Sequence, residues 1–103
     1  MLIITAEYVF GKNIEMLGLV RGSTVQTVNA IRDIGAGLKT LVGGELTKYN
    51  EMMDNARRIA TDRMEAEARA MGADAVIGVR YTTSSIMQGA AEVLAYGTAV
   101  RFL

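Results

Sequence analysis

The sequence predicts an α+β domain of order ββααββ, with helices packed on one face of a mainly antiparallel sheet. Three observations predict it. Leu46 to Met71 reads as one long amphipathic helix, with Leu46, Tyr49, Met52, Met53, Ala56, Ile59, Ala60, Met64, Ala66, Ala70 and Met71 on one arc. Gly72 then stops the helix, and Ala75 to Thr82 follows as an apolar, β-branched strand. The closing stretch Glu92 to Phe102 alternates: Val93, Ala95, Gly97, Ala99 and Arg101 make a small-residue face suited to a helix, opposite Leu94, Tyr96, Thr98, Val100 and Phe102.

The other elements follow in order. Leu2 to Thr5 is a short first strand, with turn chemistry after it in Phe10-Gly11-Lys12-Asn13. Ile14 to Val28 is the second strand, with Leu17, Leu19, Arg21, Ser23 and Val25 on one face and Met16, Gly18, Val20, Gly22 and Thr24 on the other. The two glycines of the second face indicate either close approach of a helix or bulges. Asn29 caps a first helix, AIRDIGAGLKTLV, whose Ile31, Ile34, Leu38, Leu41 and Val42 share a face, and Gly43-Gly44 ends it. Gly35 and Gly37 read as packing glycines, because neither GxxxxGK[ST] nor GxGxxG is present. The polar stretch Thr83 to Ala91 reads as a loop.

On the long helix, Asp54 with Arg58 and Glu65 with Arg69 are i,i+4 pairs on the solvent side. Arg63 and Glu67, also i,i+4, project inside the apolar arc, and the sequence therefore predicts an ion pair in an interface.

With 103 residues and no linker composition, a single domain spans 1–103. Half of the residues are apolar and the mean hydropathy is +0.22, more apolar surface than a small monomer readily buries. Self-association is the expected outlet. Eleven basic residues balance 11 acidic ones, so no net field steers nucleic acid or anionic lipid, and neither is an expected partner. The absence of Cys and His removes thiolate and imidazole ligands, thiol nucleophiles and the commonest general base. The opening MLIITAEYVF has no basic n-region or long apolar h-region, and no apolar run reaches membrane-spanning length, so a soluble cytoplasmic chain is expected.

The stretches GKNIEMLGLVRG, IRDIGAGLKTLVGGE, Tyr49 to Arg69, MGADAVIGV and AYGTAVRF together resemble the YbjQ-like family of small bacterial proteins over nearly the whole chain. The resemblance implies a compact fold related to dodecin subunits and a ring-shaped homopentamer. The family carries a heavy-metal-binding label without an established biochemical activity. Its better-known branch carries acidic residues just after the third strand, where this chain reads Arg80-Tyr81-Thr82. That departure, and a soft-metal donor set limited to seven Met, four of them on the helix arc, weigh against a metal site.

The sequence thus points to a non-catalytic oligomeric module for a small molecule or a protein partner, since oligomers create concave sites between subunits. Arg21, Arg32, Arg80 and Glu92, near strand ends and the first helix, together with Arg63 and Glu67, are the ligand or interface candidates. Metal binding through carboxylates such as Glu92 and Asp74 is the alternative, and an enzyme comes third. No catalytic or metal-ligating residues and no cofactor are assigned.

Overall fold

The structure, a computed structural model, describes residues 1–27, 44–87 and 90–103. The predicted first helix, and with it Arg32, lies outside these residues. The described elements are β1 (Leu2–Ile3), β2 (Ile14–Thr27), α1 (Gly44–Ala70), β3 (Ala75–Met87) and β4 (Ala90–Phe102). They form an α+β domain of order ββαββ, one helix on a mixed four-stranded sheet ordered β1-β3-β4-β2. Only the short β1–β3 pair is parallel, with Leu2 opposite Ala75 and Ile3 opposite Val76. β4 is antiparallel to both of its neighbours.

The helix lies on the small-residue face of β4, as the alternation predicts. Val93, Ala95 and Ala99 are buried there with Val20 of β2, Val76 and Val79 of β3, and Ala56, Ala60, Met64 and Ala68 of α1. The buried helix positions are four residues apart. Each such step advances about 40° around an ideal helix, so the seam follows an inclined i±4 ridge and not a fixed arc. Ala66, Ala70 and Met71, inside the predicted arc, are consequently exposed, while Ala68, outside it, is buried.

The two glycines of β2 divide between the two readings. Gly18 sits at a register shift between Met16 and Gly18 and has φ +140°, so it belongs to a bulge. The bulge turns Leu17 onto the core and leaves Met16 exposed, the reverse of the simple alternation. Gly22 is the close approach: a β-carbon there would collide with the backbone of Ala60 and Met64.

The helix ends as its glycine predicts. Gly72 has φ +78°, its N–H donates to the Arg69 carbonyl at 3.0 Å, and the Ala73 N–H donates to the Ala68 carbonyl at 3.1 Å. That pair of bonds is a Schellman motif. Asp74 then closes the end of the sheet, its N–H donating to the Val100 carbonyl and its Oδ2 accepting the Phe102 N–H, both at 2.8 Å.

The segment 83–91, predicted as a loop, is mostly strand. Thr83 pairs with Val93, Ser84 with Glu92, Ser85 with Ala91 and Met87 with Ala90. Tyr81 to Ile86 are exposed, so this arm of the hairpin shows polar strand residues on both faces and lacks the apolar alternation of a half-buried strand. The described residues extend 55 × 26 × 16 Å, with a radius of gyration of 16.7 Å. A compact chain of about 100 residues would have a radius near 13 Å. The domain is a thin slab.

Candidate functional site on the open sheet face

Directly paired residues on neighbouring strands point to the same face of a sheet. On the face away from α1, the ladder therefore sets side chains in three-residue rows across β2, β4 and β3. Arg21 is opposite Tyr96, and Tyr96 is opposite Arg80. On one side of this row lies Leu19–Thr98–Ile77, and on the other Ser23–Leu94–Thr82, followed by Val25–Glu92–Ser84. Arg21, Arg80 and Glu92, singled out from sequence only as residues near strand ends, thus share one face. Tyr96, in the middle of the arginine row, was not among the sequence candidates, and a register cannot be read from one strand alone.

One end of this face is covered. Ala75, Ile77 and Val100 form a second buried cluster against Ile4, Val9, Ile14 and Phe102, so the segment after β1 lies across the sheet there. Its path is fixed by main-chain bonds from Gly78 N–H to the Ala6 carbonyl (2.8 Å) and from Val79 N–H to the Ile4 carbonyl (3.1 Å). Gly78, with φ +61°, lies in the register shift between Ile77 and Arg80 that permits them. Where the segment leaves the sheet, Glu7, Met16, Ile77, Gly78 and Thr98 line a cleft of about 260 Å³. Arg80 stands beside it, its Nη1 donating to the carbonyls of Val79 (2.9 Å) and Thr5 (3.2 Å).

Arg57, Arg69 and Arg101 form ion pairs with Asp54, Glu65 and Glu15. The Glu65–Arg69 pair is as expected, whereas Asp54 pairs with Arg57 and not Arg58. Among the described residues, neither Arg21 nor Arg80 has a carboxylate within ion-pair distance.

Arg63 and Glu67 do not pair with each other in this chain. Arg63 Nη1 donates instead to the Ser23 carbonyl of β2 at 2.6 Å, and both residues are exposed. The reason is the drift of the helix seam: angles that coincide with the core near Ala56 lie beside it two turns later. Asp74 and Glu92, the carboxylates of the metal alternative, are not brought together. Asp74 adjoins the Ala75–Val100 row, and Val100 is eight positions along β4 from Glu92, about 27 Å of strand.

A family model described as "Putative heavy-metal-binding" matches residues 1–103. The chain belongs to the YbjQ family. Similar members, each called a UPF0145 protein, come from Clostridium novyi (58% identical, all of both chains), Thermus thermophilus (56%, 97% of this chain and 89% of the relative) and the archaeon Methanosarcina acetivorans (51%, 100% and 98%). Among solved structures, a protein of unknown function of the DUF74 family from Pediococcus pentosaceus shares the fold, with a TM-score of 0.70 at 20% identity over 100% of this chain and 98% of that one.

Among the described residues, no donor set matching the YbjQ family's metal label is brought together. The sequence has no Cys and no His, and no group of three or more carboxylates capable of holding an ion occurs among the described residues. Of the thioethers, Met64 is fully buried in the core as filler, and Met16 and Met71 are exposed. Thioethers are soft enough for Cu(I), but these do not converge on one point. Among the described residues, no helix is long and apolar enough to cross a membrane.

Proposed function

We propose that the chain is a non-catalytic subunit of a homo-oligomer that binds a small molecule on its open sheet face. The observation that carries the reading is the state of the sheet edges. Among the described residues, β2 is an outer strand for all 14 of its residues. On the other side β1 spans only Leu2–Ile3, so the arm of β3 beyond Val79 is bordered by no strand among the described residues. Two long edges with apolar side chains beside them, Leu19 at 67% exposure, Val25 at 47% and Ile86 at 53%, are a template for strand pairing with another copy. Pairing of one kind of edge with the other is heterologous, and such contacts make a ring where the rotation between copies closes and an open filament where it does not. Five subunits are favoured by family resemblance alone.

The non-catalytic part rests on chemistry. Without His or Cys, catalysis would fall to a Ser, Lys, Tyr or carboxylate. On the open face Ser84 is paired opposite Glu92, but no hydrogen bond joins them among the described residues. We place the assembly in the cytoplasm, which cell fractionation tests. Light scattering at micromolar concentration tests the assembly itself. A mass of several chains supports the reading, and a single-chain mass overturns it.

A further inference from the structure

We infer that the Arg21–Tyr96–Arg80 row is a clamp for a phosphate group, and that the ligand of this protein is a small phosphate monoester whose remainder occupies the adjoining cleft. The inference deepens the small-molecule reading above and rests on it.

Four observations carry it. The two arginines flank one tyrosine in a single row, on three adjacent strands. With strands spaced about 4.8 Å apart, their roots are roughly 10 Å apart, a span that two guanidinium groups can close over a tetrahedral anion above the ring. Neither arginine has a carboxylate partner among the described residues, whereas Arg57, Arg69 and Arg101 do. Arg80 keeps its charge: its Nη1 is engaged by the Val79 and Thr5 carbonyls on the β1 side of β3, and its other nitrogens form no hydrogen bond among the described residues, so they are the donors that reach toward Tyr96. Arg21 and the Tyr96 hydroxyl form no side-chain hydrogen bond among the described residues, so their donors remain for a ligand.

Charge and geometry select the ligand class. Two guanidinium groups match the roughly −1.5 to −2 charge of a phosphate monoester and its three terminal oxygens, and the arginine fork suits that geometry. The cleft of about 260 Å³ begins one row away, where Thr98 and Glu7 provide a hydroxyl and a carboxylate. A carboxylate beside an anion clamp accepts hydrogen bonds from the hydroxyl or amino groups of the same molecule. At about 260 Å³ the cleft is slightly smaller than the roughly 300–1,000 Å³ of ordinary ligand pockets, which favours a small molecule over a nucleic acid chain.

Titration of the assembled full-length protein with inorganic phosphate, followed by phosphorus NMR or calorimetry in low-chloride buffer, tests the clamp. Saturable binding is expected. Arg21→Gln is expected to weaken it at least about tenfold, since a charge-assisted bond is lost, and Tyr96→Phe to weaken it less. Arg58→Gln, a change at an exposed helix arginine, should leave it unaltered. Arg21 contacts nothing by hydrogen bond among the described residues, so its replacement does not threaten folding. An unsaturable response of the wild type, or retention of wild-type affinity in Arg21→Gln, overturns the inference. Native mass spectrometry of the same samples separates the failures: an assembly that does not bind phosphate refutes the clamp alone, and a monomer that binds it refutes the assembly alone.

Discussion

Gly22 of β2 and Ala60 of α1 meet backbone to backbone, with no space for a β-carbon between them. This contact fixes how closely the helix lies over the sheet, and the obstructing atoms, of Ala60, Arg63 and Met64, all belong to main chain that cannot rotate away. Gly22→Ala should therefore cost about 1–3 kcal/mol or more by overpacking. At about 4–8 °C per kcal/mol for a domain of this size, the melting temperature should fall visibly in a dichroism scan. Gly97→Ala should cost less, because its closest obstacle is a methyl group of Val76, with the Ile77 carbonyl just behind.

Arg63 bonds to Ser23 and not to Glu67. A double-mutant cycle of Arg63→Ala and Glu67→Ala, read by thermal or urea unfolding, should give a coupling energy within about 0.5 kcal/mol of zero. Glu67→Ala alone should change stability by less than about 0.5 kcal/mol, as for an exposed side chain outside any network. A coupling of several times that size would mean that the two charges are joined in the assembly.

The hairpin arm makes a separate prediction. Because Thr83 to Ser85 pair with Ala91 to Val93, the amides of this stretch that face β4 should exchange slowly with deuterium. A loop at these positions would exchange throughout within seconds.

Zinc and copper should bind weakly or not at all. Thioethers and scattered carboxylates rarely make a tight soft-metal site without thiolate or imidazole. Calorimetry that gave a stoichiometric site of submicromolar affinity would show that subunits bring together donors which one chain holds apart.

Much of this architecture was legible in local pattern. The Gly72 stop, the long helix and the small-residue face of β4 are written in near-neighbour spacing, and each took its expected form. Thr83 to Ile86 misled because a strand exposed on both faces has the composition of a loop. The long helix misled in its second half, since the core seam drifts along it and carries Arg63 and Glu67 off the packed face. The arginine row could not be read at all. Arg21, Arg80 and Tyr96 are far apart in the chain, and only strand register brings them side by side. Their residue types gave one weak signal, a pair of arginines each embedded in an extended stretch without a neighbouring carboxylate.

The edges of the sheet decide the central claim. Val25→Lys, a charge placed beside the outer strand β2, should disrupt assembly with little change in the fold of the subunit. Native mass spectrometry of the wild type at micromolar concentration is the most direct measurement. A closed complex of several identical chains, five by family resemblance, is the predicted result; a spectrum of single chains would contradict the account.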